Sequence, residues 1–268
     1  MTAAPLAAER SGVMRYVRFL HDGKPHYGLL EGDMVQPLAG GLFDPPKAQG
    51  PRLQLAKVKL LYPCEPPKAL AVGLNYKSHL GNRPAPSRPE IFYKPTSCLQ
   101  HPEGEIVIPP DAKNVHYEGE LVVVIGKRLK NAGRDAAREA IFGVTCGNDV
   151  SERDWQHGSD KDLQWWRAKG ADTFGPLGPV IARGLDYSRL KLQTRLNGQV
   201  VQEQLTSDLL FDCPAIVSFI SRYVTLMPGD VIYTGTPGAT RAMKPGDLVE
   251  VEIEGIGVLR NRVTAAGS

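Results

Sequence analysis

Glu118 and Glu120 stand two positions apart in His116-Tyr117-Glu118-Gly119-Glu120-Leu121-Val122-Val123-Val124-Ile125-Gly126. The apolar run that ends at Gly126 reads as a buried β-strand. Side chains alternate faces along a strand, so both glutamates point the same way, with Cα atoms roughly 7 Å apart. Two like charges entering a buried strand cost free energy unless something cationic sits between them. A hard divalent ion suits that place, because Mg2+ and Mn2+ prefer oxygen ligands. The plainer alternative is an exposed strand end whose glutamates face water, and this stretch alone leaves the two level.

A third carboxylate tilts the balance. The run Ile141 to Asn148 leads into Asp149-Val150-Ser151-Glu152-Arg153-Asp154-Trp155-Gln156, a polar segment of helical character. A helix there places Asp149, Arg153 and Gln156 at i, i+4 and i+7, on one face. Asp149 as a simple N-cap with Arg153 as its surface partner explains the aspartate but has no use for Gln156.

Several elements must position these groups. Tyr16 to Leu20, Tyr27 to Leu30 and Met34 to Leu38 read as strands split by turns at Asp22-Gly23 and Gly32-Asp33. Gly40 to Pro51 is a Gly/Pro-rich loop. Ala69 to Val72 is a short strand running into Gly73-Leu74-Asn75-Tyr76. His79 follows, and the three prolines between Leu80 and Pro89 make that segment a loop over a site or a surface connection. In Ile91-Phe92-Tyr93-Lys94, alternation puts Phe92 and Lys94 on one face, so that Lys94 points inward; the alternative is a lysine at an exposed strand end. Trp165 and Trp166 are most simply packing residues, with room for one to line a pocket. Asn197-Gly198 signals a type I′ hairpin. Asp212 can cap a helix with Pro214 in its first turn and Ile216, Phe219, Ile220 and Tyr223 as its apolar stripe. Thr234-Gly235-Thr236 ends a strand and offers N–H and O–H groups to a substrate carboxylate, or is a simple turn. No fixed-period repeat appears.

Composition narrows the class. The 268 residues, 23% charged and 42% apolar, describe a globular protein of one large domain, with or without a small appendage. A net charge of +3 without basic runs argues against nucleic acid as a partner. Cys64, Cys98, Cys146 and Cys213 have no Cys-x-x-Cys spacing, which fits reduced thiols in a cytoplasmic protein. No stretch approaches a membrane span, and Met1 to Val13, which carries Glu9 and no long apolar core, does not read as a signal peptide. The expected organisation is a loose extension over 1–13, a small N-terminal β unit over 14–63 and a catalytic domain over 64–268.

Taken together, Glu118-Gly119-Glu120, Asn148-Asp149-Val150-Ser151 with Arg153 and Gln156, Gly73-Leu74-Asn75-Tyr76 with His79, Phe92-Tyr93-Lys94-Pro95, Asp172-Thr173-Phe174-Gly175-Pro176 and Thr234-Gly235-Thr236-Pro237 resemble the fumarylacetoacetate hydrolase family. The resemblance runs from about Met14 to about Val263 and is far more specific for the family than for a substrate. It implies an α+β fold, a mixed β-rich roll with the small N-terminal β unit, and a homodimer. It implies that Glu118, Glu120 and Asp149 ligate Mg2+ or Mn2+ (or Ca2+). It implies that His79 is catalytic rather than an ordinary polar loop residue, with Lys94, Arg153, Gln156 and Lys169 around the substrate and Tyr76, Thr234, Gly235 and Thr236 binding it.

Three carboxylates with nearby cations suit a small anionic 2-oxo acid, whose adjacent oxygens chelate a metal and whose enolate the metal stabilises. The leading expectation is a metal-dependent hydrolase cleaving a carbon–carbon bond of an acylpyruvate, as in aromatic catabolism. One departure opens an alternative. Hydrolytic members resemble His-x-x-Glu, and the residue three after His79 is Asn82, which cannot stabilise an imidazolium by charge. Glu90 is a candidate substitute. Without it, 2-oxo acid decarboxylation or enol–keto isomerisation becomes the reaction. A reading from another class, a non-catalytic β module holding structural Ca2+, leaves Lys94, Arg153 and Lys169 without a purpose.

Overall fold

The computed structural model describes residues 12–267, so the extension expected over 1–13 lies, apart from Gly12 and Val13, outside the described residues. Among those residues one large sheet runs in the order Leu53–Gln54, Met34–Pro37, Lys24–Glu31, Met14–His21, Gly175–Arg183, Ile141–Asn148, Gly119–Ile125, Val231–Tyr233, Ala69–Gly73, Glu90–Lys94. A second sheet, Gln199–Leu205, Lys191–Leu196, Leu248–Ile253, Gly257–Ala265 and Glu105–Ile108, packs against it. Most pairs are antiparallel. Val231–Tyr233 runs parallel to Ala69–Gly73, so the sheet is mixed and the class is α+β.

The strand Gly119–Ile125 explains why its sequence is a continuous apolar run rather than an alternating one. Leu121, Val123 and Ile125 face a core shared with Leu192, Val251 and Ile216, while Val122 and Val124 face another with Tyr16, Leu177 and Tyr233. All five are fully buried, each worth about 1.5–3 kcal/mol relative to exposure. Glu120 lies on the Val122 side by parity. Gly119, between the two glutamates, lies tight against the second sheet: a Cβ there would meet Thr194 Oγ1 at 2.1 Å.

Local signals hold at several places. The N-terminal strands fall at Met14–His21, Lys24–Glu31 and Met34–Pro37, and Met14–His21 pairs with Gly175–Arg183 inside the large sheet. Asn197 (φ 53°) and Gly198 (φ 79°) both have the positive φ that a type I′ turn demands. Asp212 caps the helix Cys213–Tyr223 by accepting from Ala215 N–H at 2.9 Å. The stripe of that helix is Ile216, Val217 and Ile220; Tyr223 is 70% exposed, because it sits in the last turn beyond the core, edge-on to Phe219. Among the described residues no helix is long and apolar enough to cross a membrane.

Candidate active site

Glu118, Glu120 and Asp149 reach one point from two neighbouring strands. Gly119 pairs with Asn148, so the residues flanking that pair are side by side. Asp149 N–H donates to Glu118 O (2.9 Å) and Glu118 N–H to Asn148 Oδ1 (2.9 Å), which fixes the crossing. One oxygen of each carboxylate lies within 4.8 Å of the others, and all three residues are buried.

The helix expected from Asp149 to Gln156 is shorter than the spacing predicts. Ser151–Glu152 pairs as a strand with Val115–His116, so Asp149 and Val150 stay outside the helix and only Arg153–His157 is helical. Glu152, not Asp149, is the N-cap, accepting from Trp155 N–H at 2.7 Å. Arg153 and Gln156 still turn towards Glu118. Arg153 donates to Glu118 Oε1 (2.5 Å), Gln156 Oε1 (2.6 Å) and Thr240 Oγ1 (2.8 Å).

Cations surround two of the three carboxylates. Lys169 Nζ sits 2.7 Å from both Glu118 Oε2 and Asp149 Oδ2. Lys94 Nζ is 2.6 Å from Asp149 Oδ1 and also donates to the carbonyls of Lys169 and Phe174. Burial alone would lower the Lys94 pKa, but Asp149, with Cys98 and Glu120, outweighs it and keeps the ammonium charged. Burial pushes the Glu118 carboxyl up, yet Lys169, Arg153 and His79 together hold it below the ordinary range. Glu120 is different. Burial, then Asp149 and Glu118, drive its pKa well up, and its hydrogen bond comes from a neutral backbone donor, Gly235 N–H at 2.6 Å. A divalent cation among the three oxygens would supply the positive charge that Glu120 lacks, so the donor set fits a metal that prefers oxygen.

Most of the predicted residues meet in one cavity of about 440 Å³. The three carboxylates, Lys169, Arg153, Gln156, His79 and Thr236 all line it. Trp165 lines it too, edge-on to Phe92 at 5.4 Å, while Trp166 is 67% exposed. Four predicted contacts lie elsewhere. Lys94 shares its inward face with Phe92 but stands behind Asp149, outside the cavity lining. Tyr76 is fully buried, its hydroxyl without a partner among the described residues, because its segment bridges to Leu209 instead of the cavity. Thr234 spends its hydroxyl on Leu121 O (2.8 Å). Gly235 orients Glu120, and only glycine fits there: φ is 109° and a Cβ would lie 2.8 Å from that of Asn75.

His79 is tied to the opposite loop. Its Nδ1 lies 2.5 Å from Gly238 O, and its Nε2 is 3.9 Å from Glu118 Oε1. A carbonyl only accepts, so Nδ1 donates to it, and in the neutral form of the ring Nε2 is bare towards the cavity. Asn82 is exposed and its side chain makes no hydrogen bond among the described residues. Glu90 does not replace it, since it sits on the exposed end of the strand Glu90–Lys94 without a bond to His79.

Sequence reasoning missed Arg83, His116 and Thr240. His116 has the parity of Glu118 and Glu120, a usable signal; it bonds Thr240 Oγ1 (2.8 Å) and Asn114 Oδ1 (2.7 Å). Thr240 gives no signal of its own.

Comparison with known proteins decides the family. Residues 68–264 match the model described as fumarylacetoacetate (FAA) hydrolase C-terminal. The chain belongs to the fumarylacetoacetate hydrolase family. Residues 14–63 match a second model, Rv2993c-like, N-terminal. Among family relatives, the mitochondrial oxaloacetate tautomerase FAHD2A of Bos taurus is 37% identical, over 93% of this chain and 91% of its own. The crystal structure of 2-hydroxyhepta-2,4-diene-1,7-dioate isomerase from Mycobacterium marinum is 39% identical, covers 95% of this chain and 100% of its own, and superposes with a TM-score of 0.88. Maleylpyruvate hydrolase from Sphingobium sp. SYK-6, solved with manganese(II) and pyruvate, is 29% identical, covers 94% and 99%, and gives 0.77. These relatives are enzymes of differing reaction type, so membership narrows the chemistry without choosing the reaction.

Proposed function

We propose that this protein is a metal-dependent enzyme that interconverts the enol and keto forms of a 2-oxo acid. The carrying observation is His79: its Nδ1 rests on the Gly238 carbonyl, not on a carboxylate, and Nε2 opens to the cavity. A base oriented by a neutral carbonyl gains no charge stabilisation from behind when it becomes an imidazolium. That is a weak arrangement for activating water and a sufficient one for moving an acidified C–H proton.

Glu118, Glu120 and Asp149 would hold the metal, Mg2+ or Mn2+. When bound, it supplies Lewis acidity towards adjacent carboxylate and keto oxygens. The chain's own groups do the rest. His79 Nε2 takes the proton from the carbon next to the keto group, and the C–H electron pair becomes the carbon–carbon double bond. Charge moves onto the keto oxygen, where donors of Lys169, Arg153 and Gln156 are at hand. Protonation of that oxygen from solvent water, with His79 giving its proton back to solvent, completes the enol; the reverse sequence takes the hydroxyl proton away and returns one to carbon, so atoms balance without a co-reactant. Glu118, 3.9 Å from Nε2, favours the transient imidazolium from the cavity side.

Hydrolysis of an acylpyruvate is the second reading, favoured by the likeness to maleylpyruvate hydrolase in its manganese and pyruvate complex. The two separate in one assay series with Mn2+ present. Decay of the oxaloacetate enol band should accelerate strongly, while pyruvate release from an acylpyruvate should be slow. Acylpyruvate cleavage faster than enol decay would make the enzyme a hydrolase. The protein's assembly as a homodimer is proposed from the family alone, and sedimentation of the full chain tests it.

A further inference from the structure

The cations lining the cavity are of two kinds. Lys169 is engaged by Glu118 and Asp149, and Arg153 by Glu118, Gln156 and Thr240. Arg83 lines the same cavity, yet among the described residues its guanidinium has neither a hydrogen bond nor an ion pair. Among the described residues no carboxylate lines that cavity apart from Glu118, Glu120 and Asp149.

The backbone keeps Arg83 in place. Its N–H donates to Leu80 O (3.1 Å), closing the turn that follows His79. The residues just before that turn are fastened to the Gly238 loop twice, by His79 Nδ1 to Gly238 O (2.5 Å) and by Gly238 N–H to Ser78 Oγ (3.0 Å). The neighbouring cavity residue His157 offers no negative charge: burial, then Arg153, Arg83 and Lys169, lower its pKa and leave it neutral. The result is a solvent-exposed guanidinium on an anchored backbone at the cavity's edge, with no ion-pair partner among the described residues. A guanidinium matches a carboxylate with two parallel hydrogen bonds, which a point charge cannot do.

We propose that Arg83 is the residue that selects the substrate's far end: it binds the distal carboxylate of a 2-oxo dicarboxylate whose 2-oxo acid end faces the three acidic residues. This rests on the 2-oxo acid reading above and goes beyond it, since that reading leaves the other end of the substrate undefined.

Oxaloacetate and 2-oxobutanoate share four carbons and the 2-oxo acid end, and differ in the distal carboxylate. Binding of each to the Mn2+-loaded full chain is measured by calorimetry, for the native protein, Arg83→Gln and Arg83→Lys. The native protein should bind oxaloacetate about tenfold tighter than 2-oxobutanoate or better, as expected for a hydrogen-bonded charge pair at a partly wet site. Arg83→Gln should erase that preference while leaving 2-oxobutanoate and Mn2+ affinities unchanged, and Arg83→Lys should restore part of it. A native protein without preference, or an Arg83→Gln variant that keeps it or loses both ligands alike, would overturn the Arg83 assignment and leave the 2-oxo acid reading standing. Failure of the native protein to bind either acid would overturn both.

Discussion

Lys94 holds Asp149 from behind: Nζ meets Oδ1 at 2.6 Å, while the other oxygen of the same carboxylate, Oδ2, turns to Lys169. Both partners are almost fully buried, Lys94 at 0% side-chain exposure and Asp149 at 2%. Lys94 is therefore a positioning group for a metal ligand. Lys94→Met removes one partner of a buried pair, which costs about 3 kcal/mol or more. We expect a lower melting temperature and weaker Mn2+ binding together. A loss of turnover with both unchanged would return Lys94 to the substrate.

Lys169 differs because it lines the cavity. Lys169→Met should lower turnover about 10²-fold, the usual cost of an oxyanion donor. Mn2+ affinity should not fall, because a cation leaves the neighbourhood of Glu118 and Asp149. Steady-state kinetics at saturating metal, paired with a metal titration, separates the two effects.

Much of this site was legible. The Glu118–Glu120 pair follows from strand parity, the Asn197-Gly198 turn and the Asp212 cap from local chemistry, and the inward face of Lys94 from alternation. Asp149, Arg153 and Gln156 were correctly grouped for a partly wrong reason. The i, i+4, i+7 spacing assumed a helix that Ser151–Glu152 gives up to pair with Val115–His116, a contact nearly forty residues away that no local pattern announces. Thr240 and Arg83 joined the site through loops folded across Gly238, and the place of Lys94 behind Asp149 needed the partner strand. Tyr76 and Thr234 belong to the motif yet serve the backbone around it.

Asn82→Glu tests what the missing carboxylate means. Asn82 is exposed and its side chain makes no hydrogen bond among the described residues, so the change should be tolerated. Enol–keto exchange should stay within a few-fold of the native rate, and weak acylpyruvate hydrolysis should appear. A large rise in hydrolysis together with loss of exchange would contradict the assignment of His79 as a proton shuttle that works without a carboxylate.

Acid stability has a separate source. His101 Nδ1 accepts from Tyr62 N–H at 2.9 Å and the ring stacks on Tyr62, so this imidazole must be neutral in the fold. Burial, then Lys59 and Arg18, hold its pKa below the ordinary value. In the unfolded chain it binds a proton below about pH 6.5, where the folded chain does not. Stability from this group is therefore complete above about pH 6.5 and declines as pH falls towards the folded value. Urea midpoints of the native protein should drop from pH 7 to pH 5, and His101→Asn should flatten that dependence. An equally steep curve in the variant would assign the effect elsewhere.

The most direct measurement follows deuterium washing into the carbon next to the keto group of oxaloacetate by NMR, with Mg2+ and an excess of protein variant. Native protein should exchange that position far faster than solution does. His79→Gln should cut the rate by about 10²-fold or more, the scale of general acid–base catalysis, while retaining metal binding. Exchange undiminished in His79→Gln would contradict the account at its centre.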